Sequence, residues 1–213
     1  MLRVLIADDH AVVRKGMIQI LDEANLSFVP TEACNGHEVM EFVREQEFDL
    51  LLLDIAMPGK NGVEVLKQIK QEIPKLPVLI LSMYPEDQYA VRLIRAGAAG
   101  YLNKEAAPDQ LAEAVKAISE GRKFISSQVA DLLADSLMRG DPIKNETEPH
   151  EMLSDREFHV FINMAAGKSQ TDIARDLSLS VKTIASYRSR ILKKLGMKSN
   201  AEMTLYASHN KLI

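Results

Sequence analysis

The sequence predicts a doubly wound α/β domain with a five-stranded parallel sheet, followed by a small all-α domain. Five short β-rich runs alternate with helix-length segments over the first 120 residues, and two of the runs, 50–53 and 78–81, are continuously apolar. Strands that are apolar on both faces are covered by helices on both sides, as in parallel sheets. After residue 150 the pattern changes to short helices that begin with capping residues.

The predicted strands are 4–7, 27–33, 50–53, 78–81 and 100–102. A βα repeat of this kind forms right-handed crossovers around one parallel sheet. Residues 122–149 are predicted to be a linker with one helix near 128–137, because 139–151 is polar and rich in turn-forming residues. The first domain is therefore expected to span 1–121 and the second 150–213.

The second domain opens with a helix N-terminus signal. Ser154 and Glu157 have the spacing of a capping box, in which each side chain bonds the backbone N–H of the other residue. Further helices are predicted near 170–177, 181–195 and 201–209. A tight turn joins the first two of these, which gives a helix-turn-helix.

The charge of the chain is uneven along its length. The 213 residues have a net charge of −4, but residues 1–149 carry 16 basic and 24 acidic side chains, whereas 150–213 carry 10 basic and 6 acidic. No acidic residue lies between Asp176 and Glu202. The outward face of helix 181–195 carries small, hydroxyl and basic residues, which suit contacts to base edges and phosphates. A solvated helix face is the alternative.

Composition argues against several kinds of protein. Cys34 is the only cysteine, so no disulfide forms within the chain, and no Cys/His cluster has zinc spacing. The apolar start of the chain meets Asp8 and Asp9 too early for a signal peptide, and no apolar run is long enough to span a bilayer. We expect a cytoplasmic protein without a membrane partner. Cys34 is expected to be a packed core thiol, and His10, without clustered partners, is not expected to bind metal.

Polar residues follow four of the predicted strands. Asp8 and Asp9 follow the first strand, Asp54 the third, Ser82 the fourth and Lys104 the fifth. The carboxyl ends of parallel strands meet at one edge of the sheet. Three carboxylates there need a cation, and Mg²⁺ prefers oxygen ligands. A phosphoryl group fits the same set, because a carboxylate can attack it while a metal ion, a hydroxyl and an ammonium neutralise its oxygens. For any single residue, a solvated turn position is the alternative.

These residues, with Met57-Pro58-Gly59-Lys60-Asn61-Gly62 after Asp54, resemble the flavodoxin-like receiver domain of two-component response regulators. The resemblance covers the first domain and implies that Asp54 accepts a phosphoryl group from a sensor histidine kinase. The implied ligands of Mg²⁺ are Asp8 (through water), Asp9, Asp54 and the backbone carbonyl of Ala56. The implied phosphotransfer and switch residues are Ser82, Lys104 and Tyr101. For Tyr101, a half-buried aromatic residue on an edge strand is the alternative.

The second domain resembles the LuxR-type four-helix DNA-binding domain. The motifs that carry the resemblance are Leu153-Ser154-Asp155-Arg156-Glu157, Gly167-Lys168-Ser169, Asp172-Ile173-Ala174, Ser180-Val181-Lys182-Thr183-Ile184 and Lys194-Leu195-Gly196. A receiver followed by this domain is the arrangement of the NarL/FixJ class. The expected DNA contacts are Lys182, Thr183, Ala185, Ser186, Ser189, Arg190, Lys193 and Lys194. Ala185 stands where the class commonly has lysine, and Arg188 where an aliphatic residue is common, so the base-reading face is unusually small.

The resulting hypothesis is a two-component response regulator that acts as a DNA-binding transcription factor. Mg²⁺-dependent phosphorylation of Asp54 is expected to switch dimerisation and promoter binding. Its catalysis is expected to be limited to its own phosphoryl transfer and autodephosphorylation. The expected partners are a sensor histidine kinase, promoter double-stranded DNA, a second copy of the chain when phosphorylated and, as a further candidate, RNA polymerase.

Two other functions fit parts of the sequence. A regulator that binds DNA without phosphorylation would have the same domains, although the complete set of acceptor-site residues argues against it. A phosphatase of the haloacid-dehalogenase kind also uses an Asp nucleophile and Mg²⁺. That family has Asp-x-Asp at the nucleophile, whereas this chain has Asp54-Ile55-Ala56. Nucleotide-binding enzymes are disfavoured because the sequence has no G-x-G-x-x-G or Walker loop.

Overall fold

A computed structural model of the chain describes residues 1–57, 62–83, 86–138, 149–177, 179–210 and 212–213. Two units are distinguished, Met1–Gly140 and Asp141–Ile213. The first contains one parallel sheet in the order β2-β1-β3-β4-β5. Its strands are β1 (Leu2–Ala7), β2 (Phe28–Ala33), β3 (Leu50–Asp54), β4 (Val78–Ser82) and β5 (Gly100–Asn103). The predicted five-stranded parallel sheet is confirmed.

Helices connect the strands and cover both faces of the sheet. They are α1 (Ala11–Glu23), α2 (Gly36–Glu45), α3 (Gly62–Glu72), α4 (Glu86–Arg95) and α5 (Ala107–Ser119). Helix α1 packs against α5, and α2 packs against α3. Every residue of β3 and β4 is buried, because both faces of these central strands lie under helices. Burial on both faces explains why the sequences of β3 and β4 contain continuous apolar runs.

A segment that was expected to be linker packs with the first unit. Phe124 bridges to Gly100 beside β5, where Phe124 N–H donates to Ala99 and Tyr101 N–H donates to Phe124. Helix α6 (Ser127–Met138) follows and packs against α4. The first unit therefore extends beyond the predicted boundary at residue 121, because backbone bonds at the sheet edge retain this segment. The rest of the predicted linker, 139–148, lies outside the described residues.

The second unit is helical, as predicted. A 3₁₀ turn (Pro149–Met152) precedes α7 (Asp155–Ala165), α8 (Gln170–Asp176), α9 (Val181–Leu195) and α10 (Asn200–His209). The predicted capping box of Ser154 and Glu157 is present at the start of α7. Helix α9 ends at Gly196, whose φ of 67° lies in the left-handed region that favours glycine. Within the described residues, no helix has both the length and the apolar character needed to cross a membrane.

Candidate functional site

The register of the sheet places the predicted polar residues along one edge. Ala7 lies opposite Leu53, so the next residues, Asp8 and Asp54, are neighbours at the carboxyl ends of β1 and β3. Ser82 is the last residue of β4. Lys104 directly follows β5, and its N–H donates to the Ser82 carbonyl at 2.8 Å. Parallel pairing thus assembles residues that lie far apart in sequence.

Lys104 contacts two buried carboxylates at this edge. Its Nζ lies 2.6 Å from Asp8 Oδ2 and 3.0 Å from Asp54 Oδ1. The Asp8 side chain is fully buried, and the Asp54 side chain is 2% exposed. Asp54 Oδ1 has no partner with hydrogen-bond geometry among the described residues, because the Lys104 contact is a close ion pair without such geometry. A buried carboxylate oxygen without a well-aligned donor favours a further positive charge nearby.

The electrostatics of this cluster follow from burial and charge. Burial raises the pKa of Asp54; Lys104 opposes the rise, and repulsion by Asp8 adds to it. Burial alone would lower the pKa of Lys104, but Asp54 and Asp8 outweigh it and the pKa is raised. The ammonium therefore remains charged at neutral pH, whereas the Asp54 carboxylate needs more positive charge nearby to be ionised at low cost.

Asp9 and His10 complete the acidic edge. Carboxylate oxygens of Asp8 and Asp9 and a ring nitrogen of His10 lie within 4.8 Å of one another. His10 Nδ1 lies 2.8 Å from Asp9 Oδ1, so the expectation that His10 has no clustered partner is wrong. Within the described part of this edge, three carboxylates, those of Asp8, Asp9 and Asp54, lie near one ammonium group, that of Lys104. An oxygen donor set with this excess of negative charge fits Mg²⁺.

The remaining pocket residues differ in exposure. Ser82 and Tyr101 are each 1% exposed, so the alternative of a half-buried Tyr101 is not what the structure has. Ala56 is exposed on the loop after β3.

Gly62 is the first residue of α3 and lies against the loop after β3. A Cβ at position 62 would collide with the Asp54 carbonyl oxygen and lie 2.8 Å from Ile55 Cα. A residue without a side chain at position 62 therefore lets α3 pack against the backbone of Asp54.

Helix α9 presents the basic face that was predicted from the sequence. Ile184 and Ile191 are buried, and Thr183 is half-buried with its hydroxyl 2.8 Å from Ser180 Oγ. The exposed residues of the predicted face are Lys182, Ala185, Ser186, Ser189, Arg190, Lys193 and Lys194. The Arg190 guanidinium lies 4.7 Å from the centre of the Tyr187 ring, a cation–π distance.

Two basic residues of α9 are held within the second unit. Lys194 Nζ donates to Glu157 Oε2 at 2.6 Å, although 40% of the Lys194 side chain is exposed. Arg188 Nε donates to Asn200 Oδ1 at 2.7 Å and so ties α9 to the first turn of α10. The unusual arginine at position 188 therefore has a structural partner, and the Lys194 ammonium is turned toward α7.

Comparison with known proteins identifies the family. The model for "Response regulator receiver domain" matches residues 4–116, and the model for "Bacterial regulatory proteins, luxR family" matches residues 151–207. The oxygen regulatory protein NreC of Staphylococcus aureus is 34% identical over 215 residues, which cover 100% of this chain and 99% of that protein. The chain belongs to the NarL/FixJ class of response regulators.

Two solved structures of RcsB resemble the response regulator over nearly its whole length. RcsB from Salmonella enterica serovar Typhimurium, bound to the promoter P1flhDC in the presence of the phosphomimetic BeF3⁻, has 28% identity and a TM-score of 0.57, covering 97% of this chain and 98% of that chain. A structure of two RcsB dimers bound to two parallel DNAs has 27% identity and a TM-score of 0.58, with the same coverage. The response regulator thus combines a receiver domain with a LuxR-type DNA-binding domain.

Sequence reasoning missed some contacts of the response regulator. Cys34 is exposed, so its prediction as a core thiol is wrong: β2 ends one residue earlier, and the thiol donates to Glu38 Oε1. The Glu157–Lys194 ion pair joins residues 37 positions apart, for which no local sequence signal exists. Arg14 contacts the loop that carries Asp8 and was not singled out from the sequence.

Proposed function

We propose that Asp54 accepts a phosphoryl group from the phosphohistidine of a sensor histidine kinase, and that this switches dimerisation and promoter binding. The observation that supports the proposal is the buried cluster in which one ammonium, on Lys104, contacts both Asp8 and Asp54. A carboxylate nucleophile beside a charged lysine and two further carboxylates is a suitable set for phosphoryl transfer.

In the proposed step, an oxygen of the Asp54 carboxylate attacks phosphorus. The new P–O bond forms as the P–N bond to the kinase imidazole breaks, and the imidazole takes up a proton from solvent. The Lys104 ammonium, which already lies 3.0 Å from Asp54 Oδ1, then pairs with the transferred phosphoryl oxygens. Ser82 donates its hydroxyl to the same group, and Tyr101 responds to the position of Ser82.

Asp9, Asp54 and the backbone carbonyl of Ala56 are the proposed ligands of Mg²⁺, with Asp8 acting through water. When bound, the ion supplies positive charge that offsets repulsion between the carboxylates and the entering phosphoryl group. The excess of carboxylates over ammonium groups at this edge supports the assignment. We infer that catalysis by the chain is limited to its own phosphoryl transfer and autodephosphorylation, since Ala56 supplies no second acid two residues after Asp54.

Promoter recognition is proposed for α9. Its exposed Lys182, Arg190 and Lys193 are suited to phosphate contacts, and Ala185, Ser186 and Ser189 to base edges. Thr183 is proposed to contact the DNA backbone at the start of the helix. The RcsB dimers on DNA support binding as a dimer to two half-sites. We place the protein in the cytoplasm with its DNA, where RNA polymerase is a candidate partner.

Intact-mass measurement tests the acceptor assignment. The full chain is incubated with acetyl phosphate and Mg²⁺, beside an EDTA control and the variants Asp54→Asn and Asp49→Asn. Asp49 precedes β3 at the opposite end from Asp54, and its carboxylate accepts the Arg3 N–H, so it is a matched control. We expect one phosphoryl group on wild type and Asp49→Asn, and none on Asp54→Asn or with EDTA. Equal labelling of Asp54→Asn, or no gain on folded wild type with either acetyl phosphate or a phosphorylated histidine kinase, would contradict the assignment.

A further inference from the structure

Arg14 joins the acidic loop to the neighbouring strand. It lies in the first turns of α1, and 14% of its side chain is exposed. Its Nη1 donates to the backbone carbonyl of Asp8 at 2.8 Å, and its Nε donates to Glu32 Oε2 at 2.9 Å. Glu32 lies on β2 opposite Ile6 of β1. The guanidinium thus fixes the loop between β1 and α1 to the sheet from the side away from Lys104.

The Asp8 carbonyl controls where the next carboxylate projects. The loop has only three residues, 8–10, between the end of β1 and the start of α1. The carbonyl of Asp8 and the N–H of Asp9 belong to one planar peptide group, so a bond that holds the carbonyl also orients the backbone that leads into Asp9. The Asp8 side chain is fixed separately, by Lys104 Nζ and by the His10 N–H at 2.8 Å.

We propose that Arg14 is a positioning residue for Mg²⁺, which acts by fixing the peptide between Asp8 and Asp9. This inference rests on the proposed function, because it assumes that these carboxylates hold the ion. Arg14 touches neither the ion nor the phosphoryl group in this account. It keeps the loop in the arrangement that brings the Asp8 and Asp9 oxygens together.

The chemistry of arginine suits this role better than that of lysine. A guanidinium presents donors in a rigid planar fork and can bond two acceptors at a fixed angle, whereas an ammonium is a point charge on a flexible stem. The adjacent Lys15 offers a comparison within the structure. Its Nζ donates to the other oxygen of Glu32 at 2.6 Å, whereas the bond to the Asp8 carbonyl comes from Arg14.

A positioning role and a purely electrostatic role of Arg14 predict opposite changes in Mg²⁺ affinity when Arg14 is replaced. Arg14 is a cation close to an acidic site, so removing its charge alone would strengthen the binding of another cation. Removing a group that orients ligand residues weakens metal binding, commonly about 10-fold to 100-fold. The sign of the change in Mg²⁺ affinity therefore separates the two explanations.

The test is Mg²⁺ titration of the full, unphosphorylated chain by isothermal calorimetry. Arg14→Gln is compared with Lys15→Gln, which removes the same charge from the same acceptor, Glu32. We expect Arg14→Gln to raise the Kd for Mg²⁺ about 10-fold to 100-fold. Lys15→Gln is expected to leave the Kd unchanged or lower it. Arg14→Lys should fall between wild type and Arg14→Gln, because it keeps the positive charge but lacks the rigid planar fork that fixes the angle between the two bonds.

A second readout separates positioning from loss of fold. Phosphorylation by acetyl phosphate is followed as a function of Mg²⁺, and thermal unfolding is measured in EDTA. We expect the Mg²⁺ concentration for half-maximal rate to rise for Arg14→Gln while the rate at saturating Mg²⁺ stays near wild type. If Arg14→Gln does not fold, Arg14→Lys takes its place: it keeps the positive charge, so electrostatics predicts an unchanged Kd, whereas loss of the rigid guanidinium fork predicts a higher one.

Two results would overturn the inference while the proposed function stands. One is a Kd for Arg14→Gln equal to that of Lys15→Gln; the other is tighter Mg²⁺ binding by Arg14→Gln. Failure of wild type to bind Mg²⁺ or to be phosphorylated is a different outcome. It would reject the proposed function itself, and the role of Arg14 with it.

Discussion

Glu157→Ala is expected to destabilise the second unit by about 2–4 kcal/mol. The Glu157 side chain is 3% exposed, and its Oε2 accepts from the Ser154 N–H at 2.9 Å and from Lys194 Nζ at 2.6 Å. A hydrogen bond to a charged group contributes about 1.5–3 kcal/mol, and loss of a cap costs about 0.5–2 kcal/mol. The expected loss is smaller than the sum of the two upper values, because 40% of the Lys194 side chain is exposed and water can solvate its ammonium.

Glu202→Ala is the matched control for this change. Glu202 occupies the same third position of α10 after its N-cap, Ser199, and accepts from the Lys198 N–H at 3.0 Å and the Ser199 hydroxyl at 3.2 Å. Glu202 is exposed, and no ammonium contacts it within the described residues. We therefore expect its replacement to cost less, about 0.5–1 kcal/mol.

Hydrogen–deuterium exchange of the full chain measures both effects. At about 1.4 kcal/mol per tenfold change, the α7 and α9 amides should exchange about 30-fold to 1000-fold faster in Glu157→Ala. Burial would raise the pKa of Glu157, but hydrogen bonds from Lys194 and Ser154 outweigh it and lower the pKa below 4.5. The stabilisation is therefore fully present above pH 4.5 and is lost as pH falls through the lower, folded pKa. Equal effects of the two variants, or a difference that does not shrink in acid, would refute the reasoning.

Three further outcomes are expected. Gly100→Ala should cost the first unit about 1–3 kcal/mol in thermal unfolding, because a Cβ would lie 2.6 Å from the Phe124 carbonyl oxygen, whereas Gly16→Ala, with nothing within 4 Å, should stabilise it by about 0.5–1 kcal/mol. Burial, followed by the charge of Lys168, lowers the pKa of His159 to about 4. The protection of the α7 amides against hydrogen exchange should therefore be full above pH 6.5 and fall between pH 6.5 and about 4. His159→Gln should remove this pH dependence. In nonspecific duplex binding, Lys182→Gln should reduce the salt slope by about 0.9, while Lys194→Gln, whose ammonium bonds Glu157, should leave it unchanged.

The sequence predicted the sheet and the acidic edge because both follow from local patterns. Continuous apolar runs such as 50–53 are typical of strands covered on both faces, and parallel pairing then brings the residues after them together. Asp8, Asp54 and Lys104 meet as expected for this reason. The capping box at Ser154 was also predictable, since its spacing is a local signal.

The contacts that sequence did not predict depend on side-chain direction over long separations. The Arg14 side chain could have been as exposed as that of Lys15, which also bonds Glu32 but is 70% exposed, and no local pattern predicts which of the two is buried. The bond from Lys194 on α9 to Glu157 on α7 joins residues far apart in sequence, so no local pattern predicts it. The segment around Phe124 carries a loose polar pattern, and its attachment to β5 depends on backbone bonds that leave no sequence periodicity.

The most direct test of the proposed function is the effect of phosphorylation on DNA affinity. Duplex DNA selected by the phosphorylated full chain from a random library is titrated with wild type and with Asp54→Asn, each before and after treatment with acetyl phosphate and Mg²⁺. We expect phosphorylated wild type to bind about 5-fold to 150-fold more tightly, as a dimer on two half-sites, and the affinity of Asp54→Asn to stay unchanged. Equal affinity of phosphorylated and unphosphorylated wild type, or an equal gain by Asp54→Asn, would contradict it.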